Sequence, residues 1–217
     1  MSKVIILRPE PGASATLARA ESAGVDAMAI PLFAVQPVDW IAPDSAAFDA
    51  LLLTSANAVR HGGPQLAALS GLPAYCVGAA TAAAAEGAGL AVAGSGSGNS
   101  SALAAQIPDG LRLLHLTAAE HHAIPGTTEI AVYDSVAIDP PPSLDALVGG
   151  VAMVHSPRAG ARLAELGTAR STIAIAAISP AAAEACGTGW RTVETIAAPA
   201  DGALLALAAA LCETPTS

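Results

Sequence analysis

Hydroxyl residues recur at one kind of place in this chain. Ser55, Thr81, Ser156 and Ser179 each lie near the junction between a short apolar run and a helix-forming, alanine-containing one. That pattern reads as a strand followed by a helix, so each hydroxyl falls at the carboxyl end of a strand. Helix capping alone accounts for each of them. The role is compatible with a second one, because a capped helix start presents free N–H groups at the positive end of the helix dipole and can hold an anion.

Tyr133 is one of only two tyrosines. It sits in residues 130–139, a β-rich, roughly alternating stretch stopped by three prolines at 140–142. In a strand it can simply pack. Its phenol can also donate a hydrogen bond at neutral pH, which suits protonation of a leaving hydroxyl. Arg8, in Arg8-Pro9-Glu10, could place a guanidinium at a strand end, although an ion pair there is equally cheap.

Other chemistry finds little support. The five histidines are His61, His115, His121, His122 and His155, and no Cys, Asp or Glu stands at a metal-ligand spacing from them, so no metal is expected. Residues 94–98 read Gly-Ser-Gly-Ser-Gly, which is neither a dinucleotide fingerprint nor a phosphate loop nor G-x-S-x-G. A flexible loop is the reading there, with Asn99 capping a helix to Ile107. Cys76, Cys186 and Cys212 are odd in number and far apart, and read as small buried apolar residues.

These groups must be held by an alternation of strands and helices. Strands are expected at residues 3–8, 26–30, 49–54, 74–78, 90–93, 111–116, 151–155, 172–177 and 192–196. Helices follow most of them, the first capped by Ser14. Residues 117–128, where a crossover helix is due, read instead as a loop with at most one helical turn. The strongest organisational signal is a repeat. Leu51-Leu-Leu-Thr-Ser-Ala-Asn57 echoes Ala152-Met-Val-His-Ser-Pro-Arg158, and the stretch after Val77 echoes the one after Ile175.

Two α/β domains follow, each an open, flavodoxin-like parallel sheet. One is discontinuous, residues 1–32 with 140–217. The other is inserted, residues 40–131. Residues 33–39 and 132–139 form two antiparallel linker strands. Ligands of such sheets bind outside the strands' carboxyl ends, where Arg8 and the four hydroxyls fall.

Composition narrows the class. Hydrophobic residues make up 53%, charged residues 12% and aromatics 3%, so alanine supplies much of the apolar content and helices can pack closely on sheets. The formal net charge of −9, with nine Lys and Arg scattered singly, argues against nucleic acid. No apolar run has the length of a membrane span and the start of the chain lacks a signal-peptide core, so a cytoplasmic protein is expected.

In their order and spacing, Leu7-Arg-Pro-Glu-Pro11, Leu53-Thr-Ser-Ala-Asn-Ala-Val59, Val77-Gly-Ala-Ala-Thr-Ala82 and Val132-Tyr133 resemble the uroporphyrinogen-III synthase family. The resemblance implies a cofactor-free, monomeric enzyme of heme and tetrapyrrole biosynthesis. Its substrate would be the linear tetrapyrrole hydroxymethylbilane, and a transient contact with the upstream deaminase is the one macromolecular partner it suggests. Tyr133 matches the proton donor, Ser55, Thr81, Ser156 and Ser179 match hydroxyls lining the substrate site, and Asn57 and Arg8 match weaker positions.

The departures are specific. Ser179-Pro180 replaces the usual Thr-Ala, Ala176 a usual Gly, and Asp134 a common basic residue. After His115-Leu-Thr117 the usual Arg-Gly is missing and the following helix is shortened. The competing expectations are a catalytically inactive two-domain module that binds a tetrapyrrole or other anion and, last, a hydrolase or nucleotide enzyme.

Overall fold

A computed structural model describes residues 3–96, 103, 107–167 and 169–213. The chain forms two compact units, Met1–Ala34 with Ala137–Ser217, and Val35–Val136. The Asn99 cap lies outside the described residues.

The first unit is built on a five-stranded parallel sheet of β1 (Val4–Ile6), β2 (Ala27–Ala29), β9 (Val151–Val154), β10 (Ala174–Ala177) and β11 (Thr192–Thr195). Its order is β11-β10-β9-β1-β2. The central strands read as unbroken apolar runs because helices cover both faces. One face carries Ile5, Ala152, Val154 and Ile175, packed by Ala159 and Leu163 of α4 (Pro157–Glu165) and Ala182 of α5 (Pro180–Ala185). The other carries Val4, Ile6, Val151 and Met153, packed by Ala13 and Ala20 of α1 (Gly12–Ser22) and Leu204, Leu205 and Ala208 of α6 (Asp201–Glu213).

Ser14 does not cap α1 as the sequence suggests. The helix begins at Gly12, and the Glu10 carboxylate accepts from both the Ser14 N–H (3.0 Å) and its hydroxyl (2.9 Å). A carboxylate is the better acceptor at the positive helix end, so it displaces the neutral hydroxyl from that task.

The second unit carries a six-stranded sheet, ordered β3-β8-β7-β4-β5-β6. Its strands are β3 (Phe33–Pro37), β4 (Ala50–Leu53), β5 (Ala74–Val77), β6 (Val92–Gly96), β7 (Leu113–Ala118) and β8 (Thr127–Ala137). β6 therefore enters the glycine run that the sequence reads as loop. The boundaries between the units fall in β3 and β8, which lie side by side. Ile138 N–H bonds to the Leu32 carbonyl and Val38 N–H to the Val132 carbonyl, so the two stretches run antiparallel. Leaving β3 aside and counting within each unit, the orders are 2-1-3-4-5 in the first and 3-2-1-4-5 in the second. The single winding expected for both does not describe the second.

α2 (Ala56–His61), the 3-10 turn Gly63–Leu69 and α3 (Ala79–Gly87) cover one face of this sheet through Ala58, Val59, Leu66, Leu69 and Ala85. The opposite face carries Ala50, Leu52 and Tyr75, with Leu103, Ile107, Leu113 and Ile124 against it.

One connection breaks a rule. β7 and β8 are parallel neighbours, Leu113 pairing with Thr127 and Leu116 with Ile130, yet residues 119–126 alone join them. Parallel neighbours ordinarily need a dozen or more residues and a helix. The chain must return about 17 Å, the length of the paired stretch. Eight helical residues would advance only about 12 Å, so an extended return is the path that fits.

Gly160 shows how tightly the alanine-rich helices pack. A Cβ there would stand 2.7 Å from the Ala182 carbonyl and 3.0 Å from Cys186 Sγ. Gly160→Ala would gain about 1 kcal/mol of helix propensity and lose about 1–3 kcal/mol to overpacking against backbone. We expect a melting temperature a few degrees below wild type, read by calorimetry.

Candidate functional site

The carboxyl ends of the strands are where the sequence places its hydroxyls, and there the structure separates capping residues from others. Ser55, Ser156 and Ser179 are N-caps of α2, α4 and α5. They accept from the N–H of Asn57 (3.2 Å), Ala159 (3.1 Å) and Ala182 (3.3 Å). Each hydroxyl keeps its own proton for another partner. Thr81 differs: Gly78, with φ of 82°, holds the cap position of α3, and Thr81 lies buried in the first turn. The Asn57 side-chain oxygen accepts from Arg60 at 3.4 Å.

Both sheets reverse their strand order beside the first strand of the unit, and that reversal is where open α/β sheets bind ligands. In the first unit the reversal lies between β1 and β9. Arg8 follows β1, and His155 and Ser156 follow β9. The Asp201 carboxylate at the start of α6 gathers Arg8 (3.2 Å), His155 Nε2 (2.8 Å), the Thr16 hydroxyl (2.9 Å) and Arg19. Burial works to raise this carboxyl, but the bonds from His155 and Thr16 and the charge of Arg8 outweigh it and hold it below its ordinary value. Burial pushes His155 down, which keeps its ring neutral. Arg8 is thus aimed by Asp201. It also lies over Gly12, where a Cβ would stand 2.3 Å from its Nε.

In the second unit the reversal lies between β4 and β7. Thr54 and Ser55 follow β4, and Thr117 ends the regular part of β7. His115 of β7 is buried, with 2% of its side chain exposed, and pairs across the ladder with Glu129 of β8. Its Nδ1 lies 3.2 Å from Glu129 Oε1 and its Nε2 3.0 Å from Thr54 Oγ1. Glu129 also takes the Ile124 N–H (2.8 Å) and His121 Nε2 (3.0 Å). This one carboxylate pins the short return between β7 and β8.

Tyr133 stands where the β7–β8 ladder slips. Thr117 pairs with Ala131, but Ala118 pairs with Tyr133, so Val132 is an extra residue. By simple alternation Tyr133 would face away from Ile130. The bulge turns it back onto the same face, where it packs with the α2–α3 core. Its ring centroid lies 6.3 Å from that of His61, a ring pushed down in pKa first by burial and then by Arg60.

Sequence reasoning missed Thr16, Thr54, Glu129 and Asp201, and weighed His115, His121 and His155 only as metal ligands. Among the described residues no group of three or more His, Cys, Asp or Glu is placed to hold a metal. His115 and Glu129 become partners only through strand register, and Asp201 meets Arg8 across 193 positions, so neither partnership has a local signal.

A family model described as uroporphyrinogen-III synthase HemD matches residues 14–206. The chain belongs to the uroporphyrinogen-III synthase family. A search of curated proteins found no match. Among solved structures, the uroporphyrinogen-III synthetase of Helicobacter pylori aligns at 16% identity with a TM-score of 0.67, over 97% of this chain and 100% of that one. A mutant uroporphyrinogen III synthase from the extremely thermophilic bacterium Thermus thermophilus aligns at 18% identity and a TM-score of 0.49, over 94% and 96%. The first likeness supports the α/β fold with parallel sheets. Enzymes of this family are cyclising lyases of heme biosynthesis. No described helix is long and apolar enough to cross a membrane.

The Glu129 network sets an acid limit. The Ile124 N–H, then His121, hold the carboxyl down to about 2 from 4.5. A group whose folded pKa is depressed stabilises above its unfolded value, and that stability is lost as pH falls through the folded one. Burial also lowers His115, so below 6.5 the unfolded ring takes a proton that the folded ring refuses. Stability falls there too. His121 runs the other way, raised chiefly by its bond to Glu129. Asp49, held to about 2 chiefly by its bond from Arg112, shares the acid window. We expect Glu129→Gln to be less stable than wild type at pH 7 and to lose less between pH 4.5 and 2, as read from urea midpoints. Parallel curves would contradict the linkage.

Proposed function

We propose that the chain is a uroporphyrinogen-III synthase that closes hydroxymethylbilane to uroporphyrinogen III, with Tyr133 as proton donor. Arg8, Ser55, Asn57, Thr81, Ser156 and Ser179 are the proposed substrate-binding residues. The observation that carries the reading is the family match over residues 14–206. Support at the level of residues comes from the bulge that re-aims Tyr133, and from strand-end serines that cap helices while keeping a proton to donate.

The chemistry asks little of the protein. A pyrrole nitrogen expels the terminal hydroxyl, which takes a proton from Tyr133 and leaves as water. The azafulvenium carbon is attacked by the substituted α-carbon of the last ring, giving a spiro intermediate. That intermediate fragments and recloses with the ring inverted. Loss of a ring proton restores aromaticity, and the phenolate recovers a proton. The substrate supplies most of the driving force and the protein supplies one geometry. Eight substrate carboxylates are met by helix N–H groups, hydroxyls and Arg8, so the acidic net charge of −9 is no obstacle. The same reading makes the protein a cytoplasmic monomer that receives an unstable substrate from the upstream deaminase.

Wild-type protein should consume hydroxymethylbilane well above the spontaneous rate. Tyr133→Phe should lower kcat by about 10²-fold, within the range of a lost general acid, with KM little changed. A wild-type rate equal to the spontaneous one would favour the inactive binding module. An unchanged kcat in Tyr133→Phe would remove Tyr133 from the proton transfer.

A further inference from the structure

The face of the second sheet crossed by residues 119–126 carries a cavity of about 300 Å³, and none of the residues proposed for the reaction lines it. Its walls include Leu52, Leu113, Leu103 and Ile124, with Thr54 and Thr127 among them. It lies where a crossover helix between β7 and β8 would have covered the sheet.

The polarity of the two threonine hydroxyls is fixed by their neighbours. Glu129, held ionised, can only accept hydrogen bonds, so His115 Nδ1 must carry the proton it shares with Glu129. The ring is buried and neutral, which leaves Nε2 as an acceptor. The Thr54 hydroxyl, 3.0 Å away, must therefore donate to it. Thr127 spends its proton on the Ile124 carbonyl at 2.9 Å. Both threonines line the cavity with their protons committed elsewhere, so their oxygens have only lone pairs left to offer, and Asp109 stands exposed to water at the rim.

Among the described residues that line this largely apolar cavity, the side-chain polar groups only accept, which selects a ligand that only donates. A neutral heteroaromatic N–H is that group, since it has a donor and no acceptor. An amide or alcohol would bring an acceptor that these side chains leave unmet. A cation would have to shed its water against leucines. We propose that this cavity binds a small neutral heteroaromatic ring carrying one N–H, of the size and class of indole, with the N–H donating to Thr54 Oγ1.

The test is titration of the full chain with indole and with benzofuran, which has the same shape and no donor, followed by amide NMR. Indole should shift the amides around Thr54, Ile124 and Thr127 and bind about fivefold tighter than benzofuran, the discrimination of one net hydrogen bond. Thr54→Val should bring the ratio close to one, and Thr54→Ser should restore it. A ratio near one in wild type, a ratio that survives Thr54→Val, or the absence of indole binding at these amides would each overturn the proposal.

Discussion

The Glu129 carboxylate is the constraint on which the second unit's chain path depends. A parallel strand pair joined by residues 119–126 has no helix to bury and no ladder of its own along the return. Its backbone must find partners elsewhere, or the loop would fray. Glu129 supplies one acceptor pair for the Ile124 N–H, His121 and His115. The last of these carries the constraint inward to Thr54. One charged side chain thus replaces the packing face of a missing helix. The replacement is sensitive to acid in a way that apolar packing is not.

The same pair of strands sets the aim of Tyr133. A strand alternates faces with strict period two, so a single extra residue re-aims everything beyond it. The slip at Val132 does this just before the tyrosine. Ala119 N–H bonds to the Tyr133 carbonyl at 2.8 Å, which ties the start of the short return to the same point. Loop length and tyrosine direction are therefore parts of one local solution.

Much of the architecture was legible in the sequence because it rests on short-range physics. Apolar runs such as residues 50–53 and 151–154 mark buried parallel strands, and Ser55, Ser156 and Ser179 mark helix starts by local capping. The repeat matches two strand–helix units of one sheet with two of the other, and the remaining strands are read from their own apolar runs. What stayed hidden depends on register or on distant chain. Ser14 yielded its capping role to Glu10, a competition that residue preference does not reveal. The second sheet's order of 3-2-1-4-5 follows from which side of β4 each crossover takes, and hydrophobic periodicity is the same either way. The ion cluster around Asp201 joins residues from opposite ends of the chain.

Ring inversion is the demanding part of the proposed reaction, because the substrate left to itself closes without it. An acidic chain with a shortened β7–β8 return must still impose that inversion. It is read most directly from the isomer composition of the product formed from hydroxymethylbilane by purified protein, separated after oxidation to the porphyrins. Predominantly isomer III is expected. Product that is isomer I alone, in the amount formed without protein, would contradict the proposed function.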